Sequence, residues 1–347
     1  MATTSETAGE ARPTRPLATQ IRSWHWNRPV LLGCILLVVL LGAIAAIHSW
    51  SGGAASSASP DDGLVNHLSR DIVFSLVSAY TLGVGLISVA GANRALDRLR
   101  PLVRVSEPDF DVYRDRLAPQ PRTIGFAAGL GGLFGAGLQF SPLLLRPVVP
   151  GELILHSTAL MMLQFALLGV MALITLRQSR VFFDVGRDEI DVDLLDLESL
   201  TPFASVGLTT AAAWLIGSAI ASFLMASGAN AFVVVAVLVA TLGLGFAGLI
   251  VPSRGLHLRL KEAKQRELAR VRGTIRAERD LLFQTEEASR ESPRMAGMLA
   301  YESRIDGVRE WPFDVVTLRR FGIFLLIPLV SWIGGALVER LVDAALG

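Results

Sequence analysis

The sequence predicts an all-α integral membrane protein of seven transmembrane helices, with a cytoplasmic helical hairpin between the sixth and seventh. Three observations predict it. The 347 residues are 52% hydrophobic and 18% charged, with a mean hydropathy of +0.49; a water-soluble domain carries more charge and shorter apolar runs. The apolar residues fall into separate runs, each near the ~20 residues that carry a helix across a bilayer. The arginines between those runs collect in alternate connections, as the positive-inside rule requires.

The runs cover 30–47, 72–92, 123–145, 157–176, 205–226, 229–251 and 321–342. The third is glycine-rich and gives the weakest signal. With the N-terminus inside, the inner segments hold Arg12, Arg15, Arg22 and Arg28, then seven arginines from Arg94 to Arg122, then Arg177, Arg180 and Arg187. The stretch 253–320 holds the remaining inner ones, and outside stand Arg70, Arg146 and Arg340. Removing any one run would send the later arginines to the wrong side. The same rule therefore predicts seven spans, a cytoplasmic N-terminus and an outer C-terminus.

The chain divides accordingly. Residues 1–28 form a cytoplasmic tail, whose first twenty are rich in Thr, Ala, Pro and Glu and are expected to be disordered. Trp24, His25 and Trp26 then stand where an aromatic belt belongs. Ala43, Ala45, Ala54 and Ala55 offer the small residues of a cleaved signal peptide, but the tail is too long and the apolar run exceeds an ordinary signal core. Residues 29–252 make a six-helix region with short loops, 253–320 the hairpin, and 321–347 the last span with the outer C-terminus.

Lipid gives helices no hydrophobic reason to associate, so small residues carry the packing. The third run holds two such pairs, Gly125 with Gly129 and Gly131 with Gly135, and Gly132 and Gly137 join them. Gly83 and Gly85 serve the second run, and Gly243, Gly245 and Gly248 the sixth. The plain reading is close helix contact; the sharper one is a pore-lining helix. Pro328 removes a backbone hydrogen bond from the last run and is expected to kink it.

No ionisable residue falls near the middle of a run. A proton-coupled transporter needs a buried carboxylate or histidine, so that class is disfavoured. The polar side chains at depth are Gln139, Gln164, Tyr80, Thr209 and Thr210, whose expected work is hydrogen bonding between helices. No HExxH, GxSxG or P-loop occurs, and no two of the five histidines have metal-ligand spacing along a helix. Cys34 is alone, so neither a disulfide nor a thiolate metal site can form. These observations point away from an enzyme, a cofactor or a bound metal. The net charge of +1 points away from nucleic acid.

In the inner stretch, residues 256–288 read as one long helix with Leu268, Val271, Ile275 and Leu282 in a stripe. Ser292 and Pro293 break it, and 295–309 reads as a second helix with Met298, Tyr301, Ile305 and Val308 on one face. The stripes would zip a hairpin, and the faces left over would suit a partner. The loop 181–203 carries Asp184, Asp188, Glu189, Asp191, Asp193, Asp196 and Glu198. It lacks EF-hand spacing, and is expected to pair with the seven arginines of 94–122 on the same side.

The run Asp193-Leu194-Leu195-Asp196-Leu197-Glu198-Ser199-Leu200-Thr201-Pro202-Phe203 resembles segments of uncharacterised bacterial multi-pass membrane proteins, as does Trp311-Pro312-Phe313-Asp314. The resemblance covers these short stretches and implies no function. The functional expectation is a non-enzymatic protein of the bacterial inner membrane. It would act as a scaffold or signalling partner through 255–309, on a partner protein or a second copy. The alternative is a channel or facilitator for an ion or small solute, with Gly125, Gly129, Gly131, Gly135 and Pro328 along the path. It expects a polar cavity near Gln139, Gln164 and Thr209.

Overall fold

A backbone in hydrocarbon must make its hydrogen bonds within its own segment, and this chain does so with helices. The computed structural model describes residues 27–52, 63–117, 120–139, 151–224, 231–284 and 293–346. It is 91% helical, so the all-α class holds, and no strand occurs among the described residues. The expected tail, its Trp24–Trp26 belt, the close of the third run and the break near Ser292 lie outside the described residues.

Nine helices are described: α1 (Asn27–Gly52), α2 (Gly63–Leu99), α3 (Glu107–Leu117), α4 (Pro121–Gln139), α5 (Gly151–Asp184), α6 (Thr201–Ser222), α7 (Ala231–Gln284), α8 (Pro293–Asp306) and α9 (Val315–Leu346). Among the described residues five stretches are long and apolar enough to cross a membrane: Arg28–Ile47, Leu68–Leu102, Leu155–Glu189, Glu198–Ser222 and Val235–Asp280. Helices also stand at the third and seventh expected positions, α4 and α9. Large apolar side chains cover the outside of the bundle, with Phe126 73% and Leu155 74% exposed. An apolar surface on this scale belongs against lipid or protein.

Side-chain pairs fix the directions. Ser78 meets Gln164 and Ser88 meets Gln178, so α2 and α5 run parallel. α4, which lies between them in the chain, packs on α5. Arg177 donates to Thr123 at 3.1 Å, and Gly135 lies over Met161, so α4 is antiparallel to α5 along that length. α6 returns antiparallel to both, tied by Tyr80 donating to the Ala213 carbonyl at 2.9 Å and Trp214 Nε1 to Thr175 at 3.1 Å. α7 descends beside α6, where Ser218 meets Thr241 at 2.6 Å. α9 lies beside α6 and α7, with Ser331 against Ser222 of α6 and Phe321 against Phe246 of α7. Its start is capped by Asp314, which accepts from the Thr317 amide at 2.7 Å. The Thr317 hydroxyl, and then that amide contact, hold the Asp314 carboxyl below its ordinary value.

The sequence places a boundary at 252/253, but α7 runs unbroken through Pro252 for 54 residues. Proline costs one hydrogen bond there, and the helix continues against close neighbours. Ser253 is fully buried and donates back to the Leu249 carbonyl at 3.2 Å. Gly255 lets the Phe183 carbonyl of α5 press directly on the helix. At 1.5 Å per residue α7 is about 80 Å long, well beyond a bilayer core of ~30 Å.

The largest buried cluster sits beyond the apolar part of the bundle, at its arginine-rich end. Leu96, Leu99, Phe110, Leu117, Phe182, Ile190, Leu200, Phe203, Leu256 and Leu260 form it. It joins α2, α3, α5, α6 and α7 into one layer, which we call the basic end.

Candidate functional site at the basic end

Two loops that sequence made partners meet here. Val103 and Ile190 form an antiparallel bridge, with the Arg104 amide donating to the Glu189 carbonyl at 3.0 Å and the Asp191 amide to Leu102 at 2.9 Å. Arg104 pairs with Asp191 and Arg116 reaches Asp184 at 3.9 Å. The other ion pairs stay local: Arg100 with Glu107 at 2.9 Å, and Arg114 with both Asp97 and Asp111. Exposed pairs contribute little each; the apolar cluster beneath them holds the loops. Arg100 and Arg114 also cover the ring of buried Phe110, at 5.0 and 5.3 Å. Tyr113 donates to Glu189 at 3.0 Å. Burial, and then the Glu189 carboxylate, push its phenol up to about 12. Among the described residues no three His, Cys, Asp or Glu side chains are grouped as a metal ion requires.

From this layer α7 projects onward, and α8 lies against it. Arg272 donates to Glu302 at 2.6 Å, Tyr301 to Glu267 at 3.3 Å, and Lys264 to the Val308 carbonyl at 3.0 Å. His257 Nδ1 donates to the Glu310 carbonyl at 2.9 Å while its ring stacks on Trp311 at 4.2 Å. Met298, Tyr301 and Ile305 of the expected α8 face turn inward, Ile305 fully buried and the other two half-buried; the helix stops at Asp306, short of the expected 309, and leaves half-buried Val308 in the connection. Leu268 and Val271 are buried opposite. Near the far end of the pair a groove of about 360 Å³ opens over Val271, Met298 and Tyr301, rimmed by Arg270 and Arg294.

The remaining candidates separate. Gly131 and Gly135 press on α5, where a Cβ at Gly135 would stand 2.7 Å from the Met161 carbonyl and one at Gly131 would strike that of Phe165. Gly125 and Gly129, with the same spacing, meet nothing within 4 Å. Gln164 is 2% exposed and accepts from Ser78 at 2.7 Å. Thr209 is exposed on a different seam, between α2 and α6, and donates to the Ser205 carbonyl of its own helix at 2.8 Å. Pro328 is buried inside a continuous α9. The side chain of Gln139 lies outside the described residues.

Sequence reasoning missed a polar seam between α2 and α5. It opened the second run at residue 72 and so left Asp71 in a loop. The helix begins nine residues earlier, at Gly63, and Asp71 is 2% exposed with His156 Nε2 3.7 Å from its carboxylate. Ser75, Ser78 and Ser88 continue the buried face, opposite Gln164 and Gln178. The amide Nε2 of each glutamine has no hydrogen-bond partner among the described residues. The spacing of Asp71, Ser75 and Ser78, four and then three apart, was the available signal. Comparison of the chain with family models, with curated proteins and with solved structures yields no match.

Proposed function

We propose that this is a seven-span protein of the bacterial inner membrane, N-terminus in the cytoplasm and C-terminus outside. It would act without catalysis, as a scaffold or signalling partner, through a cytoplasmic hairpin of α8 on the projecting half of α7. The parallel arrangement of α2 and α5 supports the third span, because the chain between two parallel neighbours must cross back, and α4 lies where that return belongs. The packing of α9 on α6 and α7, two helices of the bundle, supports the seventh. The arginine distribution supports the direction.

The observation that carries the functional reading is the unbroken α7. One rod joins the apolar bundle, the basic-end layer and the α8 pair, so that a load at either end reaches the other. The channel alternative gains no comparable support, since Gln164 and Thr209 lie on separate seams and Gly131 and Gly135 are packed on α5 backbone.

The test is a photo-crosslinking residue at Thr274, exposed beside the α7–α8 groove, in the full chain in cells. A discrete adduct is expected there and not at lipid-facing Phe126. An adduct of twice the 37.3 kDa chain identifies a second copy, and any other discrete mass a different protein. No adduct above the Phe126 background, at Thr274 or at Met298, sinks the docking reading. Deletions intended to remove the hairpin must start beyond Lys264, because Leu256 and Leu260 belong to the basic-end core.

A further inference from the structure

We infer that the groove between α2 and α6 at the basic end binds a phosphate group, as carried by an anionic lipid headgroup or free phosphate. The inference stands on this groove and not on the docking reading. The groove holds about 170 Å³ and is lined by Arg94, Arg98, Ser88, Ser205, Thr209 and Thr210, among other residues, none of them acidic. Arg94 and Arg98 are both exposed and lie one turn apart. Neither has a carboxylate partner among the described residues, whereas Arg100, Arg104, Arg114 and Arg116 each have one. The acid between them is committed elsewhere, since Asp97 is held by Arg114 at 2.8 Å.

The geometry suits a tetrahedral anion. Arg94 folds back along its helix, its Nε donating to the Ala90 carbonyl at 3.2 Å, which leaves both terminal nitrogens for a ligand. A guanidinium presents paired donors that match two phosphate oxygens. Ser205 and Thr209 donate to carbonyls of their own helix at 2.8 Å each, weak back-bonds that a turn about χ1 exchanges for an oxyanion.

Depth selects the ligand. Ser88, at the inner end of the groove, bonds Gln178, just past the expected close of the fourth span at residue 176. Arg94 lies about 9 Å further along α2, and helical side chains lean back toward the N-terminus. The guanidinium therefore falls in the headgroup layer, about 5–8 Å thick on each side of the hydrocarbon. Basic grooves between helices at this level take anionic headgroups.

The full chain in detergent, titrated with phosphatidylglycerol or phosphatidylcholine and read by native mass spectrometry, tests the assignment. Phosphatidylglycerol, whose phosphodiester charge no choline cation offsets, is expected to be retained about tenfold over phosphatidylcholine. The double variant Arg94→Gln/Arg98→Gln should lose that preference, and Arg122→Gln, exposed at the start of α4, should keep it. Gly91→Leu gives an independent arm. Gly91 lines the groove, and a Cβ there meets nothing within 4 Å, so leucine plugs the space and leaves the charge intact; it too should lose the preference. If the double variant does not fold, this variant alone decides. Inorganic phosphate that competes for the same arginines, with no discrimination between the two lipids, keeps the site and makes free phosphate its ligand. Equal retention of both lipids with phosphate inert, or a preference that survives Gly91→Leu, overturns the inference.

Discussion

At the scale of single residues, identical spacing does opposite things. Gly131 lets the α4 backbone touch α5, and Gly125, six residues earlier, faces open space. Gly131→Leu should therefore cost at least the 1–3 kcal/mol of an overpacked contact, and Gly125→Leu should stay within about 0.5 kcal/mol. Thermal unfolding of the two variants in detergent reads the difference, and equal losses would show that α4 does not pack as described. Ser78 and Gln164 give a second test. Ser78→Ala leaves the buried Gln164 amide with neither end bonded, so it should destabilise more than Ser78→Ala/Gln164→Leu, which removes both partners. The coupling between them is expected near 0.6 kcal/mol, the average for such bonds within membranes. The sequence showed which residues were small or polar. It did not show which face of each helix a neighbour would cover, and so could not tell Gly131 from Gly125 or assign Gln164 to α2.

At the scale of elements, local pattern was legible and continuity was not. The stripe Met298, Tyr301 and Ile305 was read from spacing and is the face that α8 turns inward, while Val308, expected on the same helix, lies past its end at Asp306. The apolar run 229–251 and the stripe of 256–288 were read as separate stretches, and their fusion into one helix through Pro252 was not legible, because the contacts beside it, Gly255 on Phe183 and the buried Ser253, come from other helices and from depth. Asp71 was lost for the same kind of reason: its burial depends on α5, 85 residues away at His156. α3 carries a pH prediction. Tyr113 has its folded pKa raised from 10.0 to about 12 by burial and by Glu189. A raised folded value means that its contribution is complete below pH 10 and is lost as pH climbs through about 12. Melting temperature measured across that window should fall in the native chain and fall less in Tyr113→Phe. Parallel slopes would remove Tyr113 from the account.

At the scale of the whole molecule, the prediction is sidedness. In a Cys34→Ser background, single cysteines at Arg187 and Asp193 should react with an impermeant maleimide only in inverted vesicles or after lysis. Labelling in intact spheroplasts would reverse the loop that pairs with the arginines of α2 and α3 and would break the seven-span arrangement. The all-α class was readable because composition and apolar run length act over the whole chain, whereas the basic-end core was not, because it is assembled from five distant segments. That assembly has a consequence in time. Phe110 and Leu117 share one buried cluster with Leu256 and Leu260, made about 140 residues later; at ~5–20 residues per second that is roughly 7–30 s of synthesis. Through that interval α3 has an apolar face and an incomplete cover, and the nearest shelter for such a helix is the bilayer surface. The nascent chain is thus most vulnerable to proteolysis and aggregation while the ribosome is still making α5 to α7, and synonymous codons that slow that stretch should lower yield without altering the finished protein.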